Sequence, residues 1–262
     1  MVRTKAGGMV SISPDDVVAV RELSHTPIRA SEIRNLEHAA ALAWPGTEQH
    51  WHNGWLLRAG GGHTSRANSA VPLDFSSAIS DLDEIVGWYG QRGLQPWLAL
   101  PDRLLPVQAT GVKQTRVMVR DLDPSDPDAA ANLDAGPDAA WLACYQRDVP
   151  EEILTAVIDG EVVFAAVAGV AVGRGAVTYA PDGTAWLGIS AVNVIASHRR
   201  AGHGRSVCTA LQTWGAAHGA RRVYVQVLED NRAAIELYAS MGFGLHHQLR
   251  YVDARQLLTT NL

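Results

Sequence analysis

A mixed α/β (α+β) fold is what the sequence predicts, and three observations predict it. Strand-like and helix-like runs alternate along the chain. Three strand-like runs follow one another at about 162–168, 171–179 and 185–194, the last two joined through a Pro181-Asp182-Gly183 turn. A glycine-bearing stretch, Arg199-Arg200-Ala201-Gly202-His203-Gly204, then stands between the strand ending at Val194 and a helix-like run. With 262 residues, 47% of them hydrophobic, the chain can bury a sizeable core as one large or two small domains.

Residues 1–30 read as a small β appendage. Two short strands surround a Gly7-Gly8 turn and a Ser13-Pro14-Asp15-Asp16 turn, with alternation over Val17 to Arg21, and no catalytic residue is expected there. Ser31 is a candidate N-cap for a helix to Ala43, which Trp44-Pro45-Gly46 ends. Two strands, Gly54 to Arg58 and Thr64 to Val71, are expected to flank Gly60-Gly61-Gly62. Leu82, Ile85, Val86 and Tyr89 repeat at helical spacing within Ser80 to Arg92, and Gly93 stops that helix. Pro96 to Leu100 and Arg116 to Val119 read as strands. Asp121 to Asp138, rich in Asp, Pro and Ala, reads as a linker, which divides the chain into 31–125 and 126–262.

Beyond the linker a short helix starts at Trp141 to Tyr145 and the three strands follow. His203 to Gly219 sets Val207, Leu211 and Trp214 on one helical face, with Gly219 as its stop. A strand over Arg222 to Leu228 leads to a short helix capped by Asn231 and closed by Gly242, and His246 and His247 open a final strand.

Composition excludes several classes. No run of eighteen apolar residues occurs, and the 162–172 stretch is interrupted by Gly169 and followed by Arg174, so a strand is expected there and no membrane span. Met1 to Val10 lacks the apolar centre of a secretion signal, which points to a cytoplasmic protein. Cys144 and Cys208 lie far apart without metal-ligand spacing, so both are expected as buried thiols and no metal is implied. The net charge is −5 and the arginines are scattered, with Arg199-Arg200 and Arg221-Arg222 the adjacent basic pairs, so no nucleic-acid partner is expected.

The 199–204 stretch suits a pyrophosphate. Glycines let backbone approach a ligand, and a helix N-terminus offers unpaired N–H groups and positive dipole to an anion. A tight strand-to-helix turn is the other use of the same glycines. About thirty residues on stands Asn231-x-x-Ala234-x-x-Leu237-Tyr238-x-x-x-Gly242-Phe243.

On these two motifs the segment from about Trp186 to Tyr251 resembles the acyl-CoA-binding core of the GNAT acyltransferase superfamily. Arg199, Gly202 and Gly204 stand at the defining positions of its loop, the second motif matches in full, and Ala196 departs from a position where the family often has proline. Gly54-Trp55-Leu56-Leu57-Arg58 and Arg66-Ala67-Asn68-Ser69 resemble patterns in the first half of two-part GNAT proteins. No second glycine loop precedes residue 120, so one cofactor per chain is expected, with the first half extending the sheet and walling the acceptor pocket.

The resemblance implies a mostly antiparallel central sheet flanked by helices, and acetyl-CoA as cosubstrate. Its binding residues would be Val192, Asn193, Val194, Arg199, Arg200, Ala201, Gly202, His203, Gly204, Arg205 and Asn231. The strand before the loop would offer its edge to the pantetheine amides. Asn193 is equally readable as a hydrogen-bonded structural amide. Tyr238 would stand near the sulfur as general acid, or serve as a core tyrosine on Ile235 and Met241. No Asp or Glu occurs between Ala185 and Val194; Glu229 and Asp230 suit the helix dipole as well as catalysis, and alternation puts only one of His246 and His247 on the pocket face. The base is therefore left open. The implied activity is acetyl transfer to a primary amine by direct attack in a ternary complex; an acyl-CoA-binding regulatory or scaffold module without catalysis is the alternative. Oligomeric state is open, and no membrane partner is expected.

Overall fold

Helix α1 (Ala30–Ala43) buries Ile33, Leu36, Ala40 and Ala43 along one stripe, the spacing that lets a helix cover a sheet. The computed structural model of the protein describes residues 2–3, 9–11, 13, 28–122 and 131–258. In the appendage β1 (Val2–Arg3) pairs antiparallel with β2 (Met9–Val10), and the predicted Gly7-Gly8 turn lies outside the described residues. The Val17 to Arg21 alternation and residues 123–130 of the linker lie outside the described residues. Helix α1 starts one residue before Ser31: Glu32 reaches back to accept from Arg29 N–H at 2.7 Å and fixes the first turn.

A hairpin follows, β3 (Glu48–His52) on β4 (Trp55–Ala59). Its two-residue turn is Asn53-Gly54, both at positive φ (44° and 84°), the strongest short hairpin signal a sequence carries. The run Thr64 to Ser69 is not a strand. Asn68 Oδ1 accepts from the N–H groups of Gly60 and Gly62 at 2.8 and 2.9 Å, and its Nδ2 donates to Thr64 O at 2.7 Å. These local bonds hold a loop in place of a ladder, and only β5 (Val71–Pro72) pairs with β4.

Helix α2 (Leu82–Gly90) and strands β6 (Trp97–Pro101) and β7 (Val112–Asp121) come next. Beyond the linker lie β8 (Asn132–Asp134), α3 (Ala139–Tyr145), α4 (Glu151–Thr155), β9 (Glu161–Val167), β10 (Ala171–Tyr179) and β11 (Ala185–Val194). Then follow α5 (His203–Ala217), β12 (Arg222–Leu228), α6 (Arg232–Ser240), β13 (Gly244–Asp253) and α7 (Ala254–Leu258). Eight of the described strands make one sheet in the order β6-β13-β7-β12-β11-β10-β9-β8. Strands from both sides of residue 125 share it, so the first half does extend the sheet. Every neighbouring pair is antiparallel except β11 and β12, joined in parallel through the α5 crossover.

Period-two alternation in β11 and β12 builds two cores. Leu187, Ile189, Val223 and Val225 face α5 and α6, against Val207, Leu211, Tyr238 and Phe243. Trp186 and Tyr224 face α1, against Leu36, Ala39 and Ala40. Gly188 lies on that second face, where a Cβ would stand 2.6 Å from Tyr224 Cζ. The ring therefore rests directly on the glycine backbone. Gly188→Ala should displace it and cost about 1–3 kcal/mol of stability; a thermal melt identical to that of the parent protein would contradict this packing.

Candidate active site

The sheet forks at its parallel pair. Pairing of β11 with β12 ends at Ile189 opposite Val225, yet β11 continues to Val194 and β12 to Leu228. A register shift against β10 between Val172 and Arg174, with Ala191 at φ 53°, marks a bulge that bends β11 away from β12. From Ser190 onward the edge of β11 that faces β12 has no strand partner among the described residues. Val192 and Val194 pack toward the α5 core. Asn193 points the other way and donates through Nδ2 to Cys144 O at 2.7 Å, so its side chain is engaged as a structural amide.

The predicted loop starts where this strand ends. Arg199 Nε donates to Val194 O at 3.2 Å, and Arg200 (φ 63°) and Gly202 (φ 86°) take left-handed conformations before α5 begins at His203. Gly202 O accepts from Ser206 N–H at 3.0 Å, and the N–H groups of the first turn, His203 to Arg205, have no acceptor within the helix. A Cβ on Gly204 would meet Leu237 at 3.4 Å and Val194 at 3.5 Å, so the glycine keeps open the crevice between helix and strand end. Arg199, Arg200 and Ala201 are exposed. Arg205 is held by the end of α6, its Nη2 donating to Ser240 Oγ at 2.7 Å. Backbone donors, dipole and two arginines suit an anion there, so these residues fit the diphosphate end of a CoA ligand.

Helix α6 carries the second motif. Asn231 Oδ1 accepts from Ala234 N–H at 3.2 Å, which caps the helix, and Gly242 (φ 85°) ends it. Tyr238 is buried against Phe243, ring centroids 5.6 Å apart. Burial, and secondarily the Cys208 thiol, raise its pKa above the ordinary tyrosine value, opposed by the charge of Arg66. The phenol thus stays protonated, and among the described residues its oxygen has no hydrogen-bond partner. It can donate to a ligand.

Across the fork, on the α1 face, lies a polar cluster that local sequence patterns do not announce. Arg66 Nε donates to Gln226 Oε1 at 2.7 Å, and Gln226 Nε2 donates to Glu37 Oε1 at 3.2 Å. The same carboxylate oxygen stands 3.0 Å from His247 Nε2, and His247 Nδ1 is 2.8 Å from His246 Nδ1. One proton serves each contact, so the two rings and the carboxylate form a connected chain. Both histidines are buried, contrary to the alternation, because His246 is the extra residue in a bulge between Leu245 and His247. Glu229 is on the rim, paired with Arg116 at 3.1 Å, and Asp230 is exposed.

A cavity at the fork is lined by Trp44, Arg66, Arg174, Ser190, Tyr224 and Gln226. A second, sharing Arg66 and Gln226, reaches Glu37, Arg58 and Tyr251. Arg174 is buried and donates to the carbonyls of Leu154, Ala43 and Ala156 at 2.5, 2.9 and 2.9 Å while stacking on Trp44. Burial pushes its pKa down to about 9.

A sheet forked at one parallel pair, with a glycine loop and helix N-terminus closing the fork, is the arrangement that the resemblance to GNAT acyltransferases implies. A solved GCN5-related N-acetyltransferase from Kribbella flavida shares the fold, with a TM-score of 0.59 over 85% of this chain and 94% of that one at 18% identity. The family model described as "Probable histone acetyltransferase Rv0428c C-terminal" matches residues 30–252, and the chain belongs to this acetyltransferase family within the GNAT superfamily. A relative named "Probable histone acetyltransferase Rv0428c", from Mycobacterium tuberculosis, is 49% identical over 259 residues, 98% of this chain and 85% of the relative. "Uncharacterized N-acetyltransferase YobR" of Bacillus subtilis is 26% identical over 81% of this chain and 94% of its own length.

The histidine chain has a measurable signature. Burial first, then the neighbouring His247, pushes the His246 pKa down to about 4 from 6.5. A group held neutral in the folded state must take up a proton on unfolding in acid, so its contribution is complete above 6.5 and is lost as pH falls toward 4. His246→Asn should flatten the fall in melting temperature across that interval; an unchanged pH slope would contradict the neutral, buried assignment.

Proposed function

We propose that this acetyltransferase moves an acetyl group from acetyl-CoA to a primary amine by direct attack in a ternary complex. The observation that carries the reading is the open edge of β11 from Ser190 to Val194, ending on the glycine loop. Backbone groups of that edge would pair with the pantetheine amides, as an added strand would. Arg199 to Arg205 would take the diphosphate, with Asn231 near the arm. When bound, acetyl-CoA supplies an activated thioester.

The residues then divide the proton traffic. The amine nitrogen forms the new N–C bond as the C–S bond breaks; Tyr238 gives its proton to the departing thiolate, and Glu37, backed by His247, receives the amine proton through water. No protein nucleophile is needed: Cys208 is buried in α5, its thiol pushed up to about 12 by burial. A binding module without chemistry gains no support, since Glu37 provides from α1 the carboxylate that β11 lacks. The relative's name makes a histone lysine one member of the amine class to be tested. A cytoplasmic location and one acetyl-CoA per chain complete the reading; no helix among the described residues is long and apolar enough to cross a membrane.

Two substitutions test it. Gly202→Glu combines a side chain at φ 86° with a negative charge beside the anion site, and calorimetry should find acetyl-CoA binding abolished. Nothing stands within 4 Å of the added Cβ, so the cost to stability is the backbone strain alone, about 1–2 kcal/mol, and full affinity in the folded variant would remove the cradle assignment. Tyr238→Phe should lower kcat about 10²–10⁴-fold while acetyl-CoA affinity changes little. A Phe variant that melts earlier but turns over at the parent rate would assign Tyr238 to the core alone.

A further inference from the structure

The cavity at the fork carries positive charge that its own walls do not answer. Of its lining residues, Arg66 and Arg174 are cationic and none is acidic. Arg174 is occupied by three backbone carbonyls. Arg66 is different: its Nε donates to Gln226 and its guanidinium stands over the Trp44 ring, 5.6 Å from the centroid, while its Nη1 and Nη2 have no hydrogen-bond partner among the described residues. Ser190 Oγ, which lines the same cavity, is shut off from solvent and has no hydrogen-bond partner among the described residues. The Tyr224 hydroxyl, over Gly188 on the neighbouring strand, lines the same cavity.

Charge and geometry agree. The adjoining cavity adds Arg58, which donates to Ser69 O, Trp44 O and Ser69 Oγ, and the one carboxylate lining the two cavities, Glu37, already accepts from Gln226 and faces His247. A partly desolvated cation is costly until an anion meets it, and the free Nη pair of an arginine presents two parallel donors that match a carboxylate. A purely cationic acceptor would instead bring a further positive charge beside Arg66 and Arg174.

Resting on the transferase reading above, we infer that the acceptor is a small amine that also bears a carboxylate, as an amino acid does, and that Arg66 and Ser190 bind this carboxylate. They then set which amine reaches the fork. Such recognition discriminates, because an analogue that lacks the acceptor leaves the buried Ser190 hydroxyl and the Arg66 Nη pair unpaired.

The experiment uses the twenty amino acids, their carboxamides, and a lysine peptide blocked at both termini. Equilibrium binding is measured on the full chain saturated with CoA, and CoA release is measured separately with acetyl-CoA. At least one amino acid should bind about 10–100-fold more tightly than its carboxamide. Arg66→Gln should erase most of that preference while CoA affinity holds, with partial rescue by Arg66→Lys. Ser190→Ala should reduce it independently, so the test survives if the Arg66 variant does not fold. Equal binding of every acid and amide pair, or more efficient acetylation of the blocked lysine peptide than of any amino acid, overturns the inference. Those results leave the transferase reading standing. Acid-dependent binding without CoA release supports the recognition and removes the transferase reading instead.

Discussion

Where β11 parts from β12, a strand is left with one side satisfied and the other open, and both halves of the site are arranged about that edge. Backbone N–H and C=O groups away from water need partners. β10 pairs with β11 on one side from Ala185 to Val194 except at the bulge of Ala191 and Val192, and β12 pairs with it only as far as Ile189. The Ala191 bulge turns the remaining residues away, and because β12 stays paired to β7 up to Leu228, the neighbouring strand cannot follow. The fork is thus fixed by two ladders that pull apart. It is also the place where the sheet runs parallel, since the α5 crossover must carry the chain from the end of β11 back to the start of β12, and this sets the α5 N-terminus beside the open edge.

The two faces of the fork differ in chemistry. On the α5 and α6 side stand an apolar core and one buried phenol, so a thioester there meets a low-dielectric wall with a single donor. On the α1 side stand guanidinium, amide, carboxylate and imidazole groups, each hydrogen-bonded to the next from Arg66 to His246. That chain ties together α1, the loop before β5, β12 and β13. The segment ahead of the linker therefore supplies Glu37 and Arg66 to the site as well as β6 and β7 to the sheet.

What could be read from sequence was local. Asn231 as a cap and Gly202, Gly219 and Gly242 at positive φ follow from the backbone conformations these residues permit, and the three strands before the loop follow from alternation. The β3 hairpin carries its Asn53-Gly54 signal, but Trp51 is the one apolar residue of Glu48 to His52, so no apolar alternation marks the strand. Thr64 to Val71 has strand composition, yet one side chain, Asn68, holds most of it as a loop. The polar cluster on the α1 side was hidden because its bonds are not local. Gln226 and His247 meet Glu37 across 189 and 210 residues, and the sole hint is a carboxylate four residues after Ile33 on the apolar face of a helix. The bulge at His246 likewise depends on its partner strand β7.

Hydrogen–deuterium exchange, with and without saturating acetyl-CoA, tests the fork most directly. Amides of 186–189 are already paired within the sheet and should exchange slowly in both states. The account predicts that the ligand slows exchange at 190–194 and at the first turn of α5, residues 203–205, and leaves β3 and β4 unchanged. Acetyl-CoA that binds without protecting 190–194 would contradict the claim that this open edge is where the ligand is held.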